Sequence, residues 1–162
     1  MIKIGDTIPV ARFPVLKEDH IEHLTTQDIF AGKKVILFGV PGAYTPTCHQ
    51  NHLPGYLDNI EGLKALGADV VAVVAVNDVF VMDFWAKDTG GKGKMLYLSD
   101  GSGEFAKAMG LDIDLSAHGM GLRNQRYSLI ADNGVVTHFN LEEKPGVAEK
   151  TGAAAIIEQL QA

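Results

Sequence analysis

Short apolar runs rich in β-branched residues alternate along the chain with segments of helical spacing. The runs KKVILFGV, residues 33–40, and DVVAVVAV, residues 69–76, are typical of strands that are buried on both faces. The segment between them has helical spacing with a breaker at Pro54-Gly55, which predicts a kinked helix or two consecutive helices. Strand, helix and strand in this order indicate a βαβ unit.

The second half of the chain continues this alternation before it changes to a hairpin. A helix with Asn77 or Asp78 as its cap follows the second strand, and MLYLSD and GEFAKAMG predict a short strand and a short helix. RYSLIA and VVTHFN then flank residues 132–134, Asp-Asn-Gly, which favour a tight antiparallel turn. A final amphipathic helix begins near Thr151, its predicted cap. The pattern therefore predicts an α/β fold with a central mixed β-sheet flanked by helices.

The length and charge of the chain narrow the class of protein. The 162 residues can bury one sizeable core, so we expect a single domain spanning residues 1–162. A net charge of −6 disfavours nucleic acid and anionic membrane surfaces as partners, and no apolar run is long enough to cross a bilayer. With one cysteine and no secretory signal at its N-terminus, the chain is expected in a reducing compartment, the cytoplasm.

The only cysteine, Cys48, ends the well-punctuated stretch VPGAYTPTC. Thr45 is a good N-cap and Pro46 suits the first helical position, so Cys48 is expected in the first turn of a helix. There the unpaired backbone N–H groups and the positive end of the helix dipole favour an ionised, nucleophilic sulfur. A lone cysteine is also commonly a small buried hydrophobe, so the residues alone leave a reactive and a structural thiol open.

Three collinear blocks of sequence resemble the peroxiredoxins. PGAYTPTC matches their Pro-x-x-x-Thr-x-x-Cys motif, with Pro41, Thr45 and Cys48 in register. The wider block FGVPGAYTPTCHQNHLPGY, followed by AVNDVFVMDFW and RYSLIADNGVV, is similar to the type II, peroxiredoxin-five-like branch. The resemblance implies a thioredoxin-like fold, a homodimer, and a thiol-dependent peroxidase that reduces hydrogen peroxide and alkyl hydroperoxides. It implies no metal, flavin or haem cofactor.

The resemblance also implies roles for residues at the matching positions. Cys48 would be the peroxidatic nucleophile, which becomes a sulfenic acid, and Thr45 would hydrogen-bond through its hydroxyl. Pro41 would shield the site from water. The backbone N–H groups of Thr47 and Cys48 would hold one peroxide oxygen. Fixed donors of this kind stabilise the negative charge that develops on the departing oxygen.

Two arginines compete for the role of the cation that stabilises the thiolate and polarises the peroxide. Arg126 is preferred to Arg123 because it precedes a Tyr-Ser pair, as the family's arginine precedes an aromatic-serine pair, and opens a strand. A guanidinium stays charged at any working pH and offers several donors in a rigid fork. Without the motif, either arginine would be read as a solvated surface cation.

The single cysteine departs from the pattern of many type II relatives, which have a second, resolving cysteine. The plant-like and animal-like positions of that residue fall near Val73 and Lys150, and neither is cysteine here. We therefore expect an external thiol to reduce the sulfenic acid, with glutathione and glutaredoxin favoured and thioredoxin second.

Other interpretations of the same residues stay open. A non-enzymatic thioredoxin-fold redox sensor or holdase would use Cys48 only to register oxidation. His49 and His52 follow the cysteine, which allows a cysteine hydrolase, whereas a structural zinc site would need further ligands that the sequence does not place nearby. Trp85, with Phe80 and Phe84 at helical spacing, is expected in the core or in an interface patch.

Overall fold

The computed structural model describes residues 1–162 as alternating strands and helices. The strands are β1 (Arg12–Lys17), β2 (His20–Thr25), β3 (Lys34–Gly39), β4 (Val70–Ala75), β5 (Leu96–Ser99), β6 (Asp112–Asp114), β7 (Leu122–Asn124), β8 (Tyr127–Asp132) and β9 (Val135–Leu141). The α-helices are α1 (Thr26–Phe30), α2 (Leu53–Asp58), α3 (Ile60–Ala65), α4 (Val79–Asp88), α5 (Glu104–Met109) and α6 (Ala153–Gln161). A π-helix, Cys48–His52, precedes α2, and a short 3-10 helix spans Ser116–His118. None of these helices has the length and apolar character needed to span a membrane.

The central sheet has five strands in the order β5-β4-β3-β8-β9. The pairs β3–β4 and β4–β5 are parallel, whereas β3–β8 and β8–β9 are antiparallel. This arrangement confirms the predicted mixed sheet, its βαβ unit and its hairpin. The hairpin turns at Asn133 and Gly134, with φ of 49° and 79°, the left-handed conformations that a tight two-residue turn requires.

The central strands bury both of their faces. Residues 35–38 of β3 have no exposed surface, and alternate side chains enter two different cores. Ile36 and Phe38 share one core with Cys48, whereas Val35 and Leu37 share the other with Phe13. Each such side chain contributes about 1.5–3 kcal/mol relative to an exposed one. The continuous apolar run of β3 is therefore explained by a sheet that is covered on both sides.

Two small sheets were not predicted from the hydrophobic pattern. The β1–β2 hairpin and the β6–β7 pair lie outside the central sheet. Four of the six residues of β2 are exposed, so its sequence HIEHLT has neither a buried run nor a clean alternation of apolar and polar residues. Pairing with β1 determines the conformation of β2 more than burial does.

The predicted helix boundaries have mixed outcomes. Asp78 caps α4 by accepting from the Val81 N–H at 2.9 Å, while the Asn77 side chain accepts from the Ala43 N–H instead. The predicted break at Pro54-Gly55 is wrong. Pro54 lies inside the continuous helical run 46–58, directly after the π-helix, and the break between the two consecutive helices α2 and α3 falls at Asn59.

The predicted cap of the last helix is also wrong. Gly152, not Thr151, is the residue at the N-cap of α6, and it makes no side-chain capping bond. The Thr151 hydroxyl instead donates to the carboxylate of Glu142 at 2.7 Å. A buried carboxylate competes successfully for a hydroxyl that local sequence alone would assign to the helix.

Candidate active site

The turn after β3 positions Cys48 at the start of a helical segment. The backbone is helical from Pro46, and the His49 N–H donates to the Thr45 carbonyl at 2.8 Å. Thr45 therefore begins the helix as predicted, but its hydroxyl does not cap the first turn. It donates to the Gly42 carbonyl at 2.8 Å, which stabilises the tight turn that precedes the cysteine.

The first turns of this helix are widened into the π-helix Cys48–His52. The Leu53 N–H donates to the Cys48 carbonyl, a bond that spans one residue more than in an α-helix. Single π-turns inside helices are frequent at functional sites. Here the π-turn presents the side chains of Cys48 and His52 to the same guanidinium, that of Arg126.

Arg126 donates from Nη2 to the sulfur of Cys48 at 2.9 Å. Cys48 is completely buried and Arg126 is 2% exposed, so the contact is closed off from bulk water. An opposite charge at this distance favours the ionised form of a thiol, and low local polarity strengthens the attraction. A cysteine that served only as a small hydrophobe would gain nothing from such a partner.

The Arg126 guanidinium is fixed from three directions. Nε donates to the Pro145 carbonyl at 3.0 Å, Nη1 contacts Nδ1 of His52 at 2.9 Å, and Nη2 contacts the sulfur. Arg123 makes no contact with the sulfur. Its Nε donates to the Met120 carbonyl at 2.9 Å, and it reaches only the backbone near the site. The structure thus places Arg126, of the two candidates, against Cys48.

The other predicted site residues lie in the turn that leads into Cys48. Pro41 is buried, and its carbonyl accepts from Arg123 Nη1 at 3.3 Å. The Thr47 hydroxyl donates to the Gly146 carbonyl at 3.0 Å, which ties the turn to the segment before α6. The predicted contact of the Thr47 and Cys48 N–H groups with a peroxide oxygen stays a prediction.

Comparison with known proteins gives the family of the chain. A family model described as Redoxin matches residues 3–157. The chain is 44% identical over 160 residues to peroxiredoxin-2C of Oryza sativa subsp. japonica, with 98% of each chain covered. The chain belongs to the peroxiredoxin family.

Solved structures of other peroxiredoxins have the same fold. Reduced Prx3 of Vibrio vulnificus in complex with hydrogen peroxide matches with a TM-score of 0.93 at 45% identity, covering 99% of this chain and 97% of that chain. Peroxiredoxin 5 of Alvinella pompejana matches with a TM-score of 0.86 at 31% identity, covering 99% of each chain. The expected thioredoxin-like fold and the type II, one-cysteine assignment are confirmed. As a peroxiredoxin, the protein is a thiol-dependent peroxidase, an oxidoreductase that acts on peroxides.

His52 is a buried, neutral member of this peroxiredoxin site. Burial, together with the charge of Arg126, lowers the pKa of His52 to about 4, although the hydrogen bond to the Thr151 carbonyl acts in the opposite direction. Nε2 lies 2.9 Å from that carbonyl, so Nε2 carries the proton and Nδ1 accepts from Arg126. The ring also packs 4.9 Å from that of Phe38 in β3.

Neither histidine beside the cysteine can act as its base. Both ring nitrogens of His52 are engaged by Arg126 and Thr151, and Nδ1 of His49 accepts from the Trp85 indole at 3.0 Å. A cysteine–histidine hydrolase needs an imidazole that is hydrogen-bonded to the sulfur, and only Arg126 has that position. The structure also contains no group of three or more His, Cys, Asp or Glu side chains placed to hold a metal ion.

The sequence analysis did not assign two buried residues of this peroxiredoxin to the site. Glu142, at the end of β9, and Thr151, before α6, are 5% and 0% exposed and lie around the site. They are about 100 positions from Cys48 and form no motif with it. An acidic residue after a strand and a threonine before a helix are ordinary surface features, so the sequence held no signal for them.

Replacing Arg126 should slow the reaction with peroxide far more than it lowers stability. Arg126→Gln removes the charge and the donor beside Cys48, and loss of one such donor typically costs about 10²–10³-fold in rate. Stopped-flow measurement of hydrogen peroxide consumption by the reduced protein would give the second-order rate constant. Arg123→Gln is the matched control and should change that constant less than about tenfold. A larger effect at Arg123 would contradict the assignment.

The lowered pKa of His52 predicts a pH dependence of stability. The folded protein keeps His52 neutral down to about pH 4, whereas the unfolded chain protonates it near 6.5. The unfolded state therefore binds more protons in this window, so the free energy of unfolding falls as pH falls, by about 3 kcal/mol in total. Urea unfolding between pH 7 and 4 measures it.

A comparison of variants isolates the contribution of His52 from that of the carboxylates. His52→Gln should lose less stability than the wild type over this pH range, while His118→Gln, at an exposed histidine whose side chain makes no hydrogen bond or ion pair, should follow the wild type. Parallel curves for wild type and His52→Gln would show that His52 does not account for the slope.

Proposed function

We propose that this peroxiredoxin reduces hydrogen peroxide and small alkyl hydroperoxides by attack of the Cys48 thiolate on the O–O bond. The observation that carries the proposal is the 2.9 Å contact between the sulfur and Arg126 Nη2 in a buried site. The similar Vibrio vulnificus protein, whose structure is in complex with hydrogen peroxide, supports the substrate class. Full burial of the sulfur favours small hydroperoxides over bulky ones.

The chemistry at Cys48 is a two-electron displacement. The thiolate forms an S–O bond with one peroxide oxygen while the O–O bond breaks, which oxidises the sulfur to a sulfenic acid. The departing oxygen leaves as hydroxide or alkoxide and takes up a proton to become water or an alcohol. Arg126 stabilises the charge that moves from sulfur to oxygen, since it is fixed before the reaction begins. Thr45, whose hydroxyl lies in the preceding turn, orients the peroxide.

The sulfenic acid is reduced by an external thiol because the chain has no second cysteine. The position of the plant-like resolving cysteine, Val73, is a fully buried residue of β4. One thiol displaces water from the sulfenic acid and forms a mixed disulfide, and a second thiol releases Cys48 as a thiol. Glutathione with glutaredoxin is the proposed reductant, with thioredoxin second. A single free thiol functions best under reducing conditions, so the cytoplasm is the proposed location.

Catalytic turnover distinguishes this function from redox sensing. The reduced protein with hydrogen peroxide should consume NADPH over many turnovers when coupled to glutathione, glutaredoxin and glutathione reductase, and Cys48→Ser should abolish that consumption. The same assay with thioredoxin and its reductase ranks the two reductants. One stoichiometric oxidation of Cys48 without recycling by either system would favour the non-enzymatic sensor. Peroxide reduction that survives in Cys48→Ser would refute the assignment of the nucleophile.

We also propose that the protein is a homodimer that associates through an aromatic surface on α4. Phe80 and Phe84 are 54% and 61% exposed and lie one turn apart on α4, and Tyr44, 42% exposed, donates to Asp88 at the end of the same helix. Trp85 of the same helix is fully buried in the core.

Substitution of an exposed phenylalanine tests the dimer. Phe84→Glu should convert the protein to a monomer in sedimentation velocity, because a charge would be buried without a partner at the interface. Val10→Glu, at another exposed apolar residue, is the matched control and should leave the association state unchanged. A wild-type protein that sediments as a monomer at micromolar concentration would refute the dimer.

A further inference from the structure

The segment between β9 and α6 forms one wall of the active site through its backbone carbonyls. Pro145 accepts from Nε of Arg126 at 3.0 Å, and Gly146 accepts from the hydroxyl of Thr47 at 3.0 Å. These contacts fix both the guanidinium and the turn that bears the cysteine. We refer to residues 145–151 as the clamp segment.

The far end of the clamp segment holds the buried imidazole. The Thr151 carbonyl lies 2.9 Å from His52 Nε2 and accepts from the Tyr56 hydroxyl at 2.7 Å. The Tyr56 ring in turn stacks on Phe38 at a centroid distance of 4.0 Å. The Thr151 carbonyl therefore fixes the orientation of the His52 ring, so that Nδ1 faces Arg126 as an acceptor.

Glu142 closes the clamp segment on itself. One carboxylate oxygen, Oε2, accepts from the Thr151 N–H at 2.8 Å and from the Thr151 hydroxyl at 2.7 Å, and Oε1 accepts from the Lys150 N–H at 3.1 Å. The Glu142 N–H donates to the Arg126 carbonyl at 3.0 Å. Glu142 thus links the backbone of Arg126 to Thr151, at the end of the clamp segment. The same segment holds the side chains of Arg126 and His52.

The Glu142 carboxylate is buried without a cationic partner, which is an unfavourable position for a carboxylate. The residue is 5% exposed, and no lysine or arginine pairs with its carboxylate, since the Lys150 ammonium pairs with Glu143 instead. Burying a carboxylate is unfavourable, and its three neutral donors offset that cost only while their geometry holds. The mechanism of peroxide attack makes no use of this charge.

We propose that Glu142 is a positioning residue, which holds Arg126 and His52 against Cys48 by closing the clamp segment over them. The proposal rests on the function proposed for Cys48. The direction of the expected change in Cys48 ionisation distinguishes positioning by Glu142 from an effect of its charge alone. A negative charge near the site disfavours a thiolate, so removing that charge alone would favour ionisation of Cys48. Loss of the clamp would misplace Arg126 and have the opposite effect.

The test compares three variants by titration of the thiolate absorbance at 240 nm, with Cys48→Ser as the blank. In Glu142→Gln the amide nitrogen cannot accept, so the midpoint of thiolate formation should move up by about one pH unit. The second-order rate constant with hydrogen peroxide, measured at a pH well below both midpoints, should fall about tenfold because the thiolate fraction falls tenfold there. Thr151→Val should shift both in the same direction by less, and Thr151→Ser should restore them.

Glu143→Gln is the matched control, since that carboxylate is 83% exposed, neighbours Glu142 and touches only the Lys150 ammonium. It should leave the midpoint and the rate constant unchanged. A midpoint in Glu142→Gln that is unchanged or lower would overturn the proposal, even if the melting temperature falls. Should Glu142→Gln fail to fold, an unmoved midpoint in Thr151→Val would overturn it equally. The titration needs no peroxide, so its outcome is separate from the turnover assay that tests Cys48 as the nucleophile.

Discussion

The hydrogen bond from Arg126 to the sulfur of Cys48 is the interaction to which the rest of the site is fitted. A buried guanidinium needs acceptors for its donors, and the protein supplies one for each of its three nitrogens: a backbone carbonyl, a neutral imidazole and the sulfur itself. A charge that is already oriented and desolvated needs no reorganisation when peroxide arrives, which is the condition under which electrostatic stabilisation is largest.

The fold brings these groups together from distant parts of the chain. Cys48 and His52 come from the π-helix after β3, and Arg126 comes from the residue before β8, the strand that pairs with β3. Antiparallel pairing of β3 with β8 places Gly39 opposite Tyr127, so the end of one strand meets the start of the other at the site. The site therefore depends on the register of the central sheet as much as on the motif around the cysteine.

Several elements of the fold could be predicted from interactions within a few residues of the chain. The apolar runs of β3 and β4, the Asp78 cap and the Asn133-Gly134 turn follow from burial, helix capping and backbone conformation within a few residues. The start of the cysteine helix at Thr45 could be predicted in the same way, whereas the hydroxyl of Thr45 binds the Gly42 carbonyl instead of capping that helix.

Long-range hydrogen bonds explain most of what the sequence did not reveal. The Thr151 hydroxyl binds Glu142 instead of the helix, and the neutral state of His52 depends on burial by elements far along the chain. The exposed strand β2 has no burial pattern to detect. Resemblance to the peroxiredoxins supplied Arg126, which spacing alone would have left among the surface cations.

The most direct test of this account compares the ionisation of Cys48 in the wild type and in Arg126→Gln. The chain has one cysteine, so the absorbance change at 240 nm, corrected with Cys48→Ser, reports that sulfur alone. The account predicts that Arg126→Gln forms the thiolate only at a higher pH than the wild type does, because the variant lacks the charge beside the sulfur. Coincident titration curves for the two proteins would contradict it, because Arg126 would then lie beside the sulfur without stabilising its ionised form.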